Sequence, residues 1–338
     1  MQNRILSPGK LLGSDGSLIQ SGYATHAVSS YQREDIKAPP WRIKEWDFYQ
    51  ISNEDYFLQM TIGHVSYAGS IAVKLFEFAT GKQYEITKML ALPFNRLHMP
   101  HSAEQGDLTY RGKGMFMQFQ VSEGGRRLIC QATSKNSPAM NIDIQLCQPD
   151  QTSLVIATPF DDHPTYFYYN HKINCMPAKG VVTIGDSTFR FEPYHSFGLL
   201  DWGRGVWPFH QSWYWGNGSG YVDGKRFGFN IGYGFGNTSA ATENMLFYDG
   251  TAHKLNQVYF NLSEGGYLGK KKFTSDDGRF EMDFTPLYDN FTQTKFLFVN
   301  NQCHQVFGKF SGRAVLDDGT IIEVRDLFAF TEHAVNNW

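Results

Sequence analysis

The chain has 338 residues, of which 16% are aromatic and 19% are charged, and this composition supplies enough apolar surface for two domains of about 150–170 residues. Its formal net charge of −3 gives no sign of a nucleic-acid-binding protein, which would need a clustered basic surface. The sequence contains no apolar run of about 18 residues that could span a membrane and no N-terminal secretion signal, so we expect a cytoplasmic location.

Alternation of apolar and polar residues with a period of two runs through the chain, whereas helical periodicity is scarce. The clearest alternating segments are, in chain order, residues 115–121, 142–146, 227–235, 280–284 and 322–330. Tight-turn dipeptides separate such segments, at positions 80–81, 223–224, 249–250, 277–278 and 318–319. Strands joined by turns at this spacing predict antiparallel hairpins that close into an all-β barrel or sandwich.

The two halves of the sequence resemble each other at an offset of 169 residues. At this offset Trp46 aligns with Trp215, and Gly63 aligns with Gly232. A rare tryptophan and a glycine in the same register indicate two copies of one β-barrel unit.

We place the boundary between the two units so that residues 1–185 form an N-terminal barrel and residues 186–338 form a C-terminal barrel. The C-terminal unit holds most of the unusual polar and aromatic residues, so it is predicted to carry the pocket. A site at the interface between the two units is the alternative.

The segment at residues 198–220 differs from the rest because it concentrates tryptophan, glycine and polar side chains. Its candidate site residues are Asp201, Arg204, Trp207, His210, Trp213, Trp215 and Asn217. Flat tryptophan rings could line an apolar slot in which a few polar groups orient a ligand. Alternatively, the rings form a core and Asp201 forms a buried ion pair with Arg204 that holds the loop.

Four further side chains are candidates outside that segment: Tyr233, Glu243, His304 and Asp326. Asp326 alternates with apolar residues, and burial there would raise its pKa and suit it to act as a general acid. A salt bridge to Arg204 or Arg313 is the alternative. Glu243 precedes a predicted strand, where an exposed loop carboxylate is the simpler interpretation, and His304 is typical of an ordinary histidine of a β-protein.

The sequence lacks the motifs of several other chemistries. His163 and His171 have no third ligand at a suitable spacing, so no metal site is predicted. The four cysteines show neither metal-ligand nor Cys-x-x-Cys spacing and are expected to be free thiols. A phosphate loop, a nucleophile elbow and a dinucleotide fingerprint are all missing, which disfavours phosphoryl and hydride transfer and predicts no cofactor.

The sequence resembles the bacterial DUF2804 family. The matching motifs are Leu200-Asp-Trp-Gly-Arg-Gly-Val-Trp207, Ser212-Trp-Tyr-Trp215, Thr242-Glu-Asn244, His304-Gln-Val-Phe-Gly308 and Phe310-Ser-Gly312. An Asp-x-x-Trp or Trp-Gly loop before a Trp-x-Trp strand is, more distantly, similar to the double-calycin group, which includes carotenoid 1,2-hydratases, tocopherol cyclase and AttH-like proteins. That resemblance implies two lipocalin-like barrels side by side and chemistry on isoprenoid or polyketide chains. Only Asp201 and the pair Trp213 and Trp215 match the motif of that wider group.

Two main hypotheses for the function remain at this stage. The first is an enzyme of the hydratase, cyclase or isomerase type that acts on an unsaturated apolar molecule without a cofactor. In it Asp201 or Asp326 is the acid, His210 is its partner or the base, tryptophan faces stabilise a cation, and Arg204 holds an anionic head.

The second hypothesis is a non-catalytic carrier of a fatty acid, an isoprenoid or a pigment. A β-sandwich that stacks sugars on its tryptophans ranks third, because glycosidases need two carboxylates about 5–9.5 Å apart and the sequence singles out no such pair. The sequence leaves the identity of the ligand and the oligomeric state open.

Overall fold

The computed structural model describes residues 2–148, 151–262, 265–296 and 299–338. Within these ranges the chain has no α-helix, and its only helical turns are 3-10 segments at Arg33–Asp35, Pro40–Arg42 and Gly266–Leu268. None of the helical segments in these ranges has the length and apolar character needed to cross a membrane. The predicted all-β class is confirmed.

The described residues form 24 strands. They are β1 (Gly9–Lys10), β2 (Gly22–Ala24), β3 (Ser29–Ser30), β4 (Ile43–Ser52), β5 (Tyr56–His64), β6 (Ala68–Glu77), β7 (Lys82–Ala91), β8 (Leu108–Gly112), β9 (Met115–Ser122), β10 (Gly125–Ala132), β11 (Met140–Cys147), β12 (Leu154–Pro159), β13 (Phe167–Ile184), β14 (Ser187–Phe191), β15 (Phe197–Val206), β16 (His210–Val222), β17 (Lys225–Tyr233), β18 (Met245–Tyr248), β19 (Thr251–Lys254), β20 (Val258–Leu262), β21 (Lys271–Ser275), β22 (Phe280–Phe296), β23 (Val299–Val315) and β24 (Ile321–Asn337).

Most of these strands belong to two large antiparallel sheets. The first sheet has the order β7-β6-β5-β4-β15-β13-β11-β10-β9-β8, with β2, β12 and β14 attached beside β13. The second sheet has the order β19-β18-β17-β16-β24-β23-β22-β21-β20. Each sheet curls around its own apolar core, which produces two half-barrels in tandem.

The two sheets share one arrangement of strands, and the repeat seen in the sequence corresponds to it. The meander β4-β5-β6-β7 begins the first sheet, and β16-β17-β18-β19 begins the second. Trp46 on β4 is the cross-strand partner of Gly63, and Trp215 on β16 is the partner of Gly232. A Cβ atom at Gly63 would lie only 2.8 Å from Cβ of Trp46, which explains the glycine at that position.

The chain passes from the first sheet to the second between Val206 and His210. This change of sheet lies after the predicted boundary at residues 185 and 186, because β14 and β15 both pair with β13 of the first sheet. Strand β15 also pairs with β4, so it joins the meander to the rest of the first sheet. The first sheet is therefore complete only when residues 197–206 are included.

The two sheets contact each other through a cluster of aromatic side chains. Phe57 on β5 stacks on Phe307 of β23 at a centroid distance of 4.3 Å, and both rings are fully buried. Phe76 on β6 stacks on Tyr288 of β22 at 3.9 Å. Because these rings come from different sheets, their burial stabilises the association of the two half-barrels.

We expect the substitution Phe57→Ala to lower the free energy of unfolding by about 3–5 kcal/mol, because it removes a fully buried ring and leaves a cavity between the sheets. Urea unfolding followed by tryptophan fluorescence measures this difference. The control is Tyr194→Ala, where the ring is 76% exposed and the change should stay within about 0.5 kcal/mol. If the two variants have the same free energy of unfolding, the aromatic cluster does not stabilise the association of the two sheets.

Candidate functional site

A cavity of about 470 Å³ lies between the two sheets, within the size range of small-molecule sites. Strands β4 to β7, β13 and β15 of the first sheet line it together with β16 and β22 to β24 of the second. Its outer end is bordered by exposed side chains, among them Glu85 and Thr87 on β7 and Thr292 and Thr294 on β22. The cavity therefore belongs to both sheets rather than to the C-terminal one alone.

Asp201 lies at the buried inner end of the cavity and accepts three hydrogen bonds. Its Oδ1 accepts from Nζ of Lys172 and from Nδ2 of Asn170, each at 2.7 Å, and its Oδ2 accepts from Nε1 of Trp46 at 3.0 Å. Asn170 and Lys172 alternate along β13 and so share a face, and Lys172 is the cross-strand partner of Asp201 on β15. Strand register thus brings an ammonium and a carboxylate together.

Lys172 extends from this pair toward the second sheet. Its Nζ lies 3.8 Å from Oε2 of Glu243 and 4.3 Å from the centroid of the Trp215 ring. The ammonium therefore contacts two carboxylates and one aromatic face while it is almost completely buried.

Glu332 on β24 supplies a carboxyl group from the second sheet. Its Oε1 accepts from Nε1 of Trp213 at 3.0 Å, and its Oε2 accepts from Nε2 of Gln305 at 3.2 Å. Burial raises the pKa of Glu332 to about 7, and the nearby negative charge of Asp201 acts in the same direction against weaker opposing contacts. A carboxyl group with this pKa can hold and release a proton near neutral pH.

Glu243 precedes β18 and is also buried beside the cavity. Burial raises its pKa, which Lys172 opposes and Asp201 reinforces. A Cβ atom at Gly232 would lie 3.1 Å from Oε1 of Glu243, so the glycine of β17 leaves room for this carboxylate. The cavity thus holds three carboxyl groups close to one lysine.

Of the residues predicted from the sequence, Asp201, Trp213, Trp215 and Glu243 line the cavity. Trp207 lies behind the cavity wall, where it is fully buried and packs edge-on against Trp46 at 5.2 Å. Asn217 does not reach the cavity either. It donates to Oδ1 of Asn230, the same atom that accepts from Nε1 of Trp215, so it supports that ring.

Two predicted catalytic residues are exposed and lie away from the cavity, which corrects their assignment. His210 stands at the start of β16, and its Nδ1 lies 2.9 Å from Oδ1 of Asn337. Asp326 has a left-handed backbone (φ +49°) at an irregularity in the pairing of β23 with β24. This irregularity shifts the alternation by one residue, so the Asp326 side chain faces solvent and bonds to Ser311.

Arg204 is buried but outside the cavity lining, so its predicted contact with a ligand is also corrected. Its Nη2 donates to Oδ1 of Asp47 at 2.8 Å, and its guanidinium lies 4.0 Å from the Trp202 ring centroid. Its Nη1 donates to the backbone oxygen of Trp46, so Arg204 fixes β15 against β4. The expected ion pair between Arg204 and Asp201 is replaced by the pair between Lys172 and Asp201.

Tyr233 and His304 point into the second half-barrel, because their positions lie on the other face of its sheet. Tyr233 packs against Phe260 at 5.4 Å. His304 bonds to Asp289 at 2.7 Å and stacks on Tyr267 at 3.6 Å. Neither side chain lines the cavity in the described part of the chain.

Lys172, Asn170 and Glu332 were not selected as site residues from the sequence. The available signal was the alternation in β13, where 168, 170 and 172 form one face and 171 the other. His171, which the sequence singled out, lies on the opposite face, and its Nε2 is 2.7 Å from Oγ of Ser153. Burial lowers the pKa of His171 to about 3, so it is neutral.

A family model described as a domain of unknown function, DUF2804, matches residues 2–338. Among solved structures, a candidate AttH protein from Nitrosomonas europaea is similar with a TM-score of 0.53 and 13% identity, covering 88% of this chain and 92% of that chain. Kievitone hydratase from Nectria haematococca is similar with a TM-score of 0.52 and 9% identity, covering 87% and 88%. None of the curated proteins compared with the chain matches it significantly.

At these identities the likeness to solved structures shows the fold alone. It confirms the prediction of two tandem calycin-like units, since both neighbours match over most of their own length.

The raised pKa of Glu332 predicts a pH-dependent stability. Because the folded state favours the protonated carboxyl group, its contribution to stability is complete below the ordinary value of 4.5 and is lost as pH rises through about 7. Between pH 4.5 and 8 the wild type should therefore lose up to about 3 kcal/mol of unfolding free energy relative to Glu332→Gln, whose amide cannot ionise. Urea unfolding of both proteins across this pH range measures the difference.

The matched control for this experiment is Glu123→Gln, which changes an exposed carboxylate in the turn between β9 and β10. Its stability should follow the wild-type pH dependence. If the free energies of unfolding of the wild type and Glu332→Gln change in the same way with pH, Glu332 does not have a raised pKa in the folded protein.

Proposed function

The chain belongs to the DUF2804 family, and from the geometry of its cavity we propose that it binds an apolar, unsaturated small molecule and performs acid–base chemistry on a carbon–carbon double bond. The observation that carries this proposal is Glu332, a buried carboxyl group that lines a cavity bordered by aromatic rings and whose pKa burial raises to about 7. Protonation of an alkene requires an acid that keeps its proton near the working pH and a site that limits competing water.

The aromatic lining suits the cation that alkene protonation creates. Trp46, Phe48, Trp213, Trp215 and Phe235 border the cavity, and aromatic faces attract positive charge. Lys172 already lies over Trp215, but its charge is compensated by Asp201 at 2.7 Å. The ammonium therefore adds little repulsion against a cation formed near Glu332.

The pattern of hydrogen bonds assigns a supporting role to Asp201. Its Oδ1 is paired with the ammonium of Lys172 at 2.7 Å, a partner that Glu332 lacks among the described residues, so Asp201 is suited to hold Lys172 in place rather than to donate a proton. In this proposal Asp201 positions Lys172 and Trp46 and favours the protonated form of Glu332. The acid role that the sequence assigned to Asp201 therefore passes to Glu332.

The comparisons support an enzyme of this class, because one structural neighbour is a hydratase, an enzyme that adds water to its substrate. A carrier of the same ligands would share the aromatic lining, but it would not need a buried carboxyl group with a pKa near 7. A carbohydrate-active role fits less well, because Asp201, Glu243 and Glu332 are buried, whereas a glycosidase needs two carboxyl groups that flank a bound sugar.

The proposal is tested by incubating the protein in D2O with geraniol, farnesol and oleic acid, and with any molecule extracted from the purified protein by organic solvent. Mass spectrometry should show deuterium on carbon in at least one probe with the wild type. Glu332→Gln should lower that rate by about 100-fold or more, because the amide cannot donate a proton. The wild-type rate should fall as pH rises through about 7.

Glu123→Gln serves as the control and should exchange deuterium at the wild-type rate. A probe that binds stoichiometrically and gains no deuterium would support the carrier instead. Full activity of Glu332→Gln would remove Glu332 from the mechanism.

A further inference from the structure

We infer that Glu243 is a second catalytic residue of this cavity, the base that activates a water molecule, and that the reaction is therefore hydration of an alkene rather than its isomerisation or cyclisation. This inference rests on the proposed function, in which Glu332 is the acid. It follows from asking which ionisable groups beside the cavity remain able to accept a proton.

The carboxylate of Glu45 lies beside the cavity but has no remaining capacity of this kind. It accepts from the hydroxyl of Tyr31 at 2.9 Å and from Nη1 of Arg33, and it also contacts His64 and Arg204. These partners lower the pKa of Glu45 to about 2 against the effect of its burial. Glu45 therefore holds its charge as part of the first half-barrel.

His64 is also fully engaged. Its Nδ1 accepts a hydrogen bond from the backbone N–H of Ser66 at 3.0 Å, which places the proton on Nε2. That nitrogen faces Oε2 of Glu45 at 3.1 Å. Asp201 is excluded by the three hydrogen bonds described above, and Glu85 lies at the exposed outer end of the cavity. Among the buried carboxyl groups of the lining, Glu243 and Glu332 remain.

Glu243 keeps unused acceptor capacity although it is only 8% exposed. Its carboxylate faces Nζ of Lys172 at 3.8 Å, a distance longer than a hydrogen bond, and Asn230 also favours its charged form. A carboxylate offers about four lone-pair sites, so these neighbours leave room for the proton of a water molecule. Gly232 keeps the approach to this carboxylate open, because any larger residue would place a Cβ atom against it.

The surroundings divide the roles of the two glutamates. Glu243 has a cation within ion-pair distance, which favours its ionised form and makes it the base. Within the described part of the chain Glu332 has no such ion pair; its polar neighbours are the indole of Trp213, the amide of Gln305 and the thiol of Cys303, and Lys172 acts on it only from farther away. Burial acts on the pKa of both groups in the same direction, and a raised pKa makes ionised Glu243 a stronger base.

The proposed step conserves atoms and electrons. The proton of Glu332 moves to one alkene carbon, and the π electrons form the new C–H bond. The oxygen of water then forms a C–O bond to the other carbon, while Glu243 removes one proton from that water. The product is an alcohol, and the site is reset when Glu243 gives up its proton and Glu332 regains one, so no oxidant or reductant is needed.

The test repeats the geraniol reaction in D2O and, separately, in water enriched in ¹⁸O, with the wild type, Glu243→Gln and Glu332→Gln. The wild type should form a product that contains ¹⁸O and carbon-bound deuterium. Glu243→Gln should lose the ¹⁸O product by about 100-fold or more and still exchange deuterium into the alkene, because the cation can return a proton to Glu332. Glu332→Gln should lose both labels.

Each remaining outcome has a distinct meaning. Deuterium without ¹⁸O in the wild type would overturn hydration and leave the acid chemistry intact, whereas a wild-type rate of ¹⁸O addition in Glu243→Gln would remove Glu243 as the base. No label with geraniol or with any other probe would overturn the proposed function itself. If Glu243→Gln does not fold, Glu243→Asp keeps the charge but withdraws the carboxylate by one methylene, and it should likewise lower ¹⁸O addition more than deuterium exchange.

Discussion

The buried ion pair between Lys172 and Asp201 is the interaction on which the organisation of the site depends. It joins adjacent strands of the first sheet, and each partner also fixes a second group. Asp201 holds the indole of Trp46, and Lys172 reaches Glu243 and Trp215. A buried ion pair contributes little net stability compared with an apolar pair, but removal of one partner leaves an uncompensated charge. Its value in this protein is therefore to fix positions across the boundary between the sheets.

The location of the cavity follows from the two faces of each sheet. One face of each sheet encloses an apolar core made of its own side chains. The opposite faces meet in an aromatic cluster around Phe57 and Phe307, and Phe48, Trp213 and Trp215 belong both to this cluster and to the cavity wall. Aromatic stacking thus stabilises the association of the sheets, and hydrogen bonds from Gln59 to Gln305 and from Lys74 to Asn290 also join them.

The two sheets have the same strand order but carry different side chains at equivalent positions of the site. The residue that pairs with Trp46 on the next strand is Gly203, whereas the residue that pairs with Trp215 is Glu332. A Cβ atom at Gly203 would lie 2.4 Å from the Trp46 ring, so the glycine lets that ring cross β15 and reach Asp201. At equivalent positions, the first sheet therefore has a glycine that makes room for the Trp46 ring, and the second sheet has the carboxyl group of Glu332. The two sheets have similar strand orders, but their contributions to the site differ.

The sequence by itself determined the features that depend on local patterns. Period-two alternation fixed the all-β class, and Trp46 and Trp215 marked equivalent strands of the two sheets, since the face that a residue occupies depends only on its place along the strand. The same rule failed at Asp326, where one left-handed residue shifts the alternation in a way that residue type does not reveal. Tertiary structure alone decided that Asp201 pairs with Lys172 and that Glu332 shares a cavity with both. These contacts depend on strand register and on the meeting of two sheets, which the packing of the whole chain sets rather than any short segment of it.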